Sequence, residues 1–283
     1  MKSLAYYPLQ CAKNAHEPLQ AFLNSVKKFG INVVENSLDC DAVVIWSVLW
    51  HGKMLANQSV YNHYRSLGRP VFVIEVGALH RNITWKVAIN NVNAQGYYGH
   101  KINLDYDRPK LLNIKLSKTT PHNPGILIVA QHHKSLQLSD VGTQELWMTS
   151  QILRIMNATT RPIMVRPHPR SALNASLLPL GVKLQQPKKI NNTYDSFDVD
   201  YGYHVVVNYN SGPGTQAALQ SVNVITDQSS LAHSVSMEIN QIENPPNIDR
   251  EQWLVEICHT EYTIDEIANG HAWSRLMPGL HGQ

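Results

Sequence analysis

Two short segments carry residue types that handle phosphate. The first spans residues 205–227, VVVNYNSGPGTQAALQSVNVITD. An apolar run ends at Asn208, a small-residue turn follows, and a helix of small residues leads to another apolar run. Gly212 and Gly214 let the backbone pass close to a ligand, and Ser211 and Thr215 stand where a helix N-cap falls. The N–H groups and positive dipole end at such a turn favour a phosphate, although an ordinary strand-to-helix turn has the same pattern. The second segment is VRPHPR, residues 165–170. Arg166 and Arg170 suit phosphate oxygens through paired hydrogen bonds. His168 can donate to a phosphate or titrate near neutral pH, and the two prolines fix the backbone that presents all three. Both segments follow predicted strands. In an open α/β sheet both then lie at the carboxyl edge, where ligands bind.

The elements that must position these side chains alternate along the chain. Apolar runs at residues 4–7, 31–35, 41–48 and 70–76 predict strands. Residues 16–29 predict a helix with Leu19, Phe22, Leu23 and Val26 on one face and Gly30 as its stop. Residues 53–67 predict a second helix. The second half repeats the pattern, with strands at 125–131, 162–166, 182–185, 204–208 and 222–226. Helices are predicted at 141–156, 215–220, 250–258 and 263–268. Residues 82–106, rich in Asn, Gly and Tyr, read as irregular structure at a functional edge, and residues 118–125, with two prolines, as a linker. The expected fold class is α/β: two tandem Rossmann-like domains with a cleft between them. Their expected bounds are 1–120 and 121–260, with a helical tail at 261–283 that packs back on the first domain.

A chain of 283 residues with 43% hydrophobic and 16% charged residues has the composition of a folded protein with a sizeable core. No run approaches the roughly 18 apolar residues of a membrane span, and the first residues do not form a secretory signal. Three cysteines, Cys11, Cys40 and Cys258, are too few and too scattered for a disulfide framework. A soluble, cytoplasmic chain is expected, a monomer or a homodimer. The net charge of +3 and pI of about 8.7 permit a polyanionic partner without requiring one.

The segments Arg166-Pro167-His168-Pro169 and Asn210-Ser211-Gly212-Pro213-Gly214 together resemble the donor-binding half of two-domain GT-B glycosyltransferases. Among these the resemblance is to the capsule-polysaccharide and Kdo-transferase type, with Pro213 as a departure from the family's turn. Residues 250–273 and 80–99 resemble phage-associated glycosyltransferases. The resemblance implies a nucleotide-sugar co-substrate, UDP-linked by expectation and with no further cofactor. It is held in the second domain, where Arg166, His168, Ser211, Gly212 and Thr215 would take the diphosphate. It also implies transfer without a metal. Asp39 and Asp41 are spaced as a D-x-D pair but precede a strand. His132 and His133 are adjacent and cannot both face one ion from a regular strand.

The first domain would then bind the acceptor. If the transfer inverts configuration it needs a base. Glu75, at the end of VFVIEV, is the first candidate, His51 the second and His80 a third. Trp50 and Trp85 could stack on a sugar or base, or belong to the core. Lys86, Asn90, Asn91 and Asn93, beside Tyr97 and Tyr98, suit a polyhydroxylated or nucleic-acid acceptor, or simply satisfy their own turns. The expected acceptor is a hydroxymethylated pyrimidine in double-stranded phage DNA, which calls for base flipping. The alternatives are a glycan or lipid-linked sugar, a non-catalytic nucleotide or nucleic-acid binding protein, and a nucleotide-sugar epimerase on the same fold.

Overall fold

The apolar runs become strands and the amphipathic runs become helices that cover them. The computed structural model describes residues 1–171, 173–193 and 196–280; the last three residues of the expected tail lie outside these. In chain order come β1 (Ser3–Tyr6), α1 (His16–Lys28), β2 (Asn32–Glu35), β3 (Ala42–Trp46), α2 (Asn57–Ser66), β4 (Val71–Val76), β5 (Trp85–Ile89) and α3 (Arg108–Leu111). There follow β6 (Asn123–Val129), α4 (Gln144–Ala158), β7 (Ile163–Arg166), β8 (Lys183–Leu184), β9 (Lys188–Lys189), β10 (Phe197–Asp198), β11 (Tyr203–Asn208), α5 (Gly212–Leu219) and β12 (Asn223–Thr226). The described chain closes with α6 (Glu251–Cys258), β13 (Glu261–Tyr262), α7 (Ile264–Ala268) and α8 (His271–Leu276). Two compact units result: Met1–Ile114 with Val255–Gln283, and Lys115–Leu254. The first change of unit thus falls before the proline-rich segment that reads as a linker, and the second falls within α6.

The first unit carries a six-stranded sheet in the order β13-β5-β4-β3-β1-β2. Strands β2, β1, β3 and β4 are parallel, and β5 runs against both its neighbours. The apolar face of α1 is buried as its spacing predicts, with Phe22 against Phe72 (5.5 Å between ring centroids). Trp273 of α8 stacks on Phe72 at 5.3 Å, so the C-terminal segment completes this unit's core. The expectation of irregular structure over residues 82–106 is corrected by β5, whose five residues WKVAI are all buried. The asparagines, glycines and tyrosines around it mask a strand-forming run. At the start of α7, Thr263 Oγ1 accepts the Glu266 N–H (3.3 Å) while the Glu266 carboxylate accepts the Thr263 N–H (2.9 Å), a reciprocal cap. Thr263→Ala is expected to lower stability by about 1 kcal/mol, read as a reduced midpoint in urea unfolding with an unchanged slope.

The second unit carries an all-parallel sheet in the order β12-β11-β6-β7-β8. From Gly125 to Val129, β6 is wholly buried, as a strand covered on both faces must be. The chain moves one way from β6 to β7 and β8, and the other way to β11 and β12, so the strand order reverses between β6 and β11. Such a switch point opens a crevice at the carboxyl ends of the strands. Val129 pairs in register with Arg166 on one side and Asn208 on the other, and Asn208 with Thr226. Residues following these four positions therefore emerge at one edge.

Candidate functional site

The carboxyl edge of the second sheet collects polar and basic groups from four strands. After β6, His132 stacks on His133 at 5.0 Å, and it meets His168, which follows β7, edge-on at 5.2 Å. His133 Nδ1 lies 2.6 Å from Ser171 Oγ. The two adjacent histidines share a side because the strand ends at Val129, so the alternation expected of a regular strand does not reach them. Lys134 and Arg170 stand exposed beside this imidazole cluster. After β11, the Asn210 amide donates to Ser229 Oγ (2.8 Å), and its backbone N–H reaches Gln131 Oε1 (3.5 Å). Asn210 Oδ1 and Gln131 Nε2 are buried without a hydrogen-bond partner in the protein, as is Thr226 Oγ1. Buried polar atoms are nearly always paired in folded chains, so three orphans on one edge mark a place where a polar ligand would complete the set.

Asn208 organises the glycine turn. It is fully buried, donates to Val129 O (3.1 Å) and Ser211 Oγ (2.9 Å), and accepts the Ser211 N–H (2.9 Å). A Cβ on Gly214 would stand 3.0 Å from Asn208 Oδ1 and 3.3 Å from Thr226 Cγ2, so the missing side chain lets α5 sit close on β11 and β12. Gly212 opens the helix, Pro213 removes one of its N–H donors, and Thr215 is buried one turn in. Asn208→Ala is expected to cost about 1–3 kcal/mol through the unpaired Ser211 and Val129 groups, measured by thermal unfolding. Beside the turn lies a cavity of about 270 Å³ between α4 and the ends of β11 and β12, lined among others by Trp147, Gln151, Thr226, Asp227 and Glu238.

Arg166 is placed differently from Arg170. It is 3% exposed; its guanidinium donates to Gln185 Oε1 (2.8 Å) and Asp200 O, and lies over the Tyr201 ring at 5.5 Å. It braces the segments flanking the edge, while His168 and Arg170 stay accessible.

In the first unit, Glu75 stands near the carboxyl end of β4, half-buried. It accepts the hydroxyl of Ser47, a buried residue just past β3 held in the left-handed region at φ 62°. Left-handed non-glycine backbone costs energy and collects at functional sites. Register pairs Glu75 with Lys86 on β5, and Lys86 with Glu261 on β13, so the three share one face of the sheet. Lys86 is 7% exposed and Glu261 is fully buried. Glu261 accepts the N–H groups of Ala78 (2.6 Å) and Leu79 (3.1 Å) and the hydroxyl of Thr84 (2.7 Å), fixing the turn after β4. The buried Tyr98 hydroxyl has no partner; burial, then the carboxylates of Glu261 and Glu75, push its pKa well above the ordinary phenol value.

The other expected acceptor residues do not join this row. Trp50 is buried against Tyr61, and Trp85 against Trp46 in the core. His51 is exposed ahead of a short helical turn, and the backbone N–H of His80 bonds Thr84 Oγ1 (3.2 Å). The Asn90 amide oxygen accepts the Val71 N–H at the start of β4 and its backbone carbonyl the Tyr61 hydroxyl, while Asn91 accepts the Val92 N–H and Asn93 the Gln95 N–H within their own turns. Asp41 accepts the N–H groups of Lys2 and Ser3 at the amino end of the sheet, bonds that lower its pKa. Among the described residues, no three His, Cys, Asp or Glu side chains converge as a metal-ligating group, and no helix is long and apolar enough to cross a membrane.

No family model matches the chain, and no curated protein matches it. Solved structures do. The beta Kdo 2,4 transferase of Thermosulfurimonas dismutans KpsC is 12% identical, with 96% of this chain and 98% of that one aligned at a TM-score of 0.50. The beta Kdo 2,7 transferase of the same KpsC is 14% identical over 95% and 99%, also at 0.50. The chain has a GT-B fold. Within this GT-B chain the edge residues that sequence reasoning missed are Gln131, His132 (weighed only as a metal ligand), Ser229 and, in the first unit, Ser47 and Glu261. The run AQHH directly after an apolar strand was the available signal for two of them. Nothing local marks the others.

Proposed function

We propose that the chain is a glycosyltransferase that moves a sugar from a nucleotide-sugar donor to a hydroxyl of a carbohydrate acceptor. The single observation that supports this most is the second sheet's carboxyl edge, where three imidazoles and the unpaired amide atoms Gln131 Nε2 and Asn210 Oδ1 gather beside the glycine turn. His132, His133, His168 and Arg170, with the start of α5, take the donor's phosphate. The Arg170 guanidinium and the N–H donors of the imidazoles and of the start of α5 offset the charge that develops on the leaving phosphate, so the proposed transfer uses no metal. The nucleoside occupies the cavity beside Trp147, where Asp227 and Glu238 can accept ribose hydroxyls. Glu75 takes the acceptor's proton, with Ser47 and Lys86 positioning it.

The named Kdo transferases of this fold favour a glycan over duplex DNA as the acceptor. The test is a transfer assay with a panel of labelled nucleotide sugars, UDP-linked ones included. Acidic oligosaccharides serve as one set of acceptors and hydroxymethylated duplex DNA as another. Label on an oligosaccharide is the expected result. Label on DNA alone would replace the acceptor, and no transfer or donor hydrolysis with any donor would refute the enzyme reading.

A further inference from the structure

The longest stretch of the chain without a carboxylate lies between Glu145 and Asp195, and it holds seven Lys and Arg residues. Two of these are internal to the unit: Arg166 is buried, and Arg161 pairs with Glu243 at 2.8 Å. Lys183, Lys188 and Lys189 are exposed on β8 and β9. Apolar side chains stand among them. Leu173, Leu178 and Val182 pack inward on the core. Leu177 is 56% exposed and Leu180 is 96% exposed, with Leu184 and Ile190 also exposed. Thr149 of α4 donates to Leu177 O (3.2 Å), tying this segment to a helix that itself exposes Leu146, Leu153 and Met156.

From this we infer that residues 177–190 form a docking surface for an anionic lipid bilayer. β10 brings one carboxylate residue, Asp198, opposite Lys188, and the three lysines outnumber it. Lysines near exposed leucines are what an anionic bilayer surface attracts: the leucines enter the acyl boundary and the ammonium groups remain at headgroup level. Charge alone would suit nucleic acid equally. A leucine almost wholly in water separates the two, because phosphate backbone offers it no apolar contact and a bilayer does. The inference is independent of the proposed transfer reaction and of its acceptor.

The test is co-sedimentation of the full chain with phosphatidylcholine vesicles, with and without phosphatidylglycerol, in low and high salt. Binding is expected only to the anionic vesicles. It should fall roughly tenfold in the double variant Leu177→Ser/Leu180→Ser and by more than roughly tenfold in Lys188→Glu/Lys189→Glu. All four positions are exposed, so unfolding midpoints should not move, and these are checked alongside. Absence of binding to anionic vesicles at low salt would overturn the inference. So would binding that the leucine variant retains in full, or duplex DNA being bound through the same lysines while vesicles are not.

Discussion

Glu75→Gln is expected to lower sugar transfer by roughly 10²–10⁴-fold, the usual contribution of a positioned general base. The substitution keeps the shape and an oxygen that can accept the Ser47 hydroxyl and the Val76 N–H. What it removes is the ability to take a proton. Donor affinity should be unchanged, because the groups assigned to the donor belong to the other unit, so kcat falls while KM for the donor holds. A purely structural Glu75 would give a different pattern. Its glutamine variant would unfold earlier and lose activity only in proportion to the folded fraction. Measuring kcat, donor KM and the urea midpoint on one preparation separates the two.

The largest expected effect on stability is Arg108→Ala. Arg108 is 8% exposed and its guanidinium donates to Cys258 O (2.6 Å), Glu261 O (2.6 Å) and both oxygens of Glu266 (2.6 and 3.3 Å), and lies 5.0 Å from the Tyr262 ring centre. It therefore fastens α6, β13 and α7 to the first unit. Removing one partner of a buried ion pair leaves a charge and two carbonyls unpaired, a cost of about 3–5 kcal/mol. The same pair sets an acid limit. Burial alone would raise the Glu266 carboxyl, but hydrogen bonds from Arg108 and from the Thr263 N–H outweigh it and hold the pKa below the ordinary value of 4.5. For a lowered carboxylate the stabilisation is complete above the unfolded pKa and disappears as pH falls through the folded one. Urea midpoints measured from about pH 6 down to about pH 3 should fall for the native chain. The fall should be shallower in Glu266→Gln, which has no carboxylate to protonate.

Much of this fold is readable from the chain because parallel strands covered on both faces are continuous apolar runs. VVIW before Ser47, GILIV and VVVN announce themselves in this way. The Trp85–Ile89 strand does not, since its one lysine and its Asn-rich surroundings carry the composition of a loop. The tail's role is hidden for another reason. β13 is two residues long, and what fixes it is Arg108, far away in sequence. The site divides similarly. Pro, Gly and Arg after an apolar strand flag the two phosphate-type segments. Whether a guanidinium in them serves a ligand or its own fold depends on remote partners. For Arg166 these are Gln185 and Asp200, which no local pattern shows. Ser47 is likewise invisible, as its left-handed backbone has no glycine or asparagine to signal it.

In the proposed reaction the carboxyl edge of the second sheet binds the phosphate of a nucleotide sugar. Calorimetric titration of a nucleotide-sugar panel into the native chain, His168→Ala and Asn210→Ala tests it most directly. Saturable binding of at least one donor to the native chain is expected. Each variant should bind it roughly tenfold or more weakly, the loss of one hydrogen bond to the donor; unfolding midpoints are measured alongside, because Asn210→Ala also removes the amide that donates to Ser229. A donor that binds all three proteins equally, or a panel in which nothing binds the native chain, would contradict it.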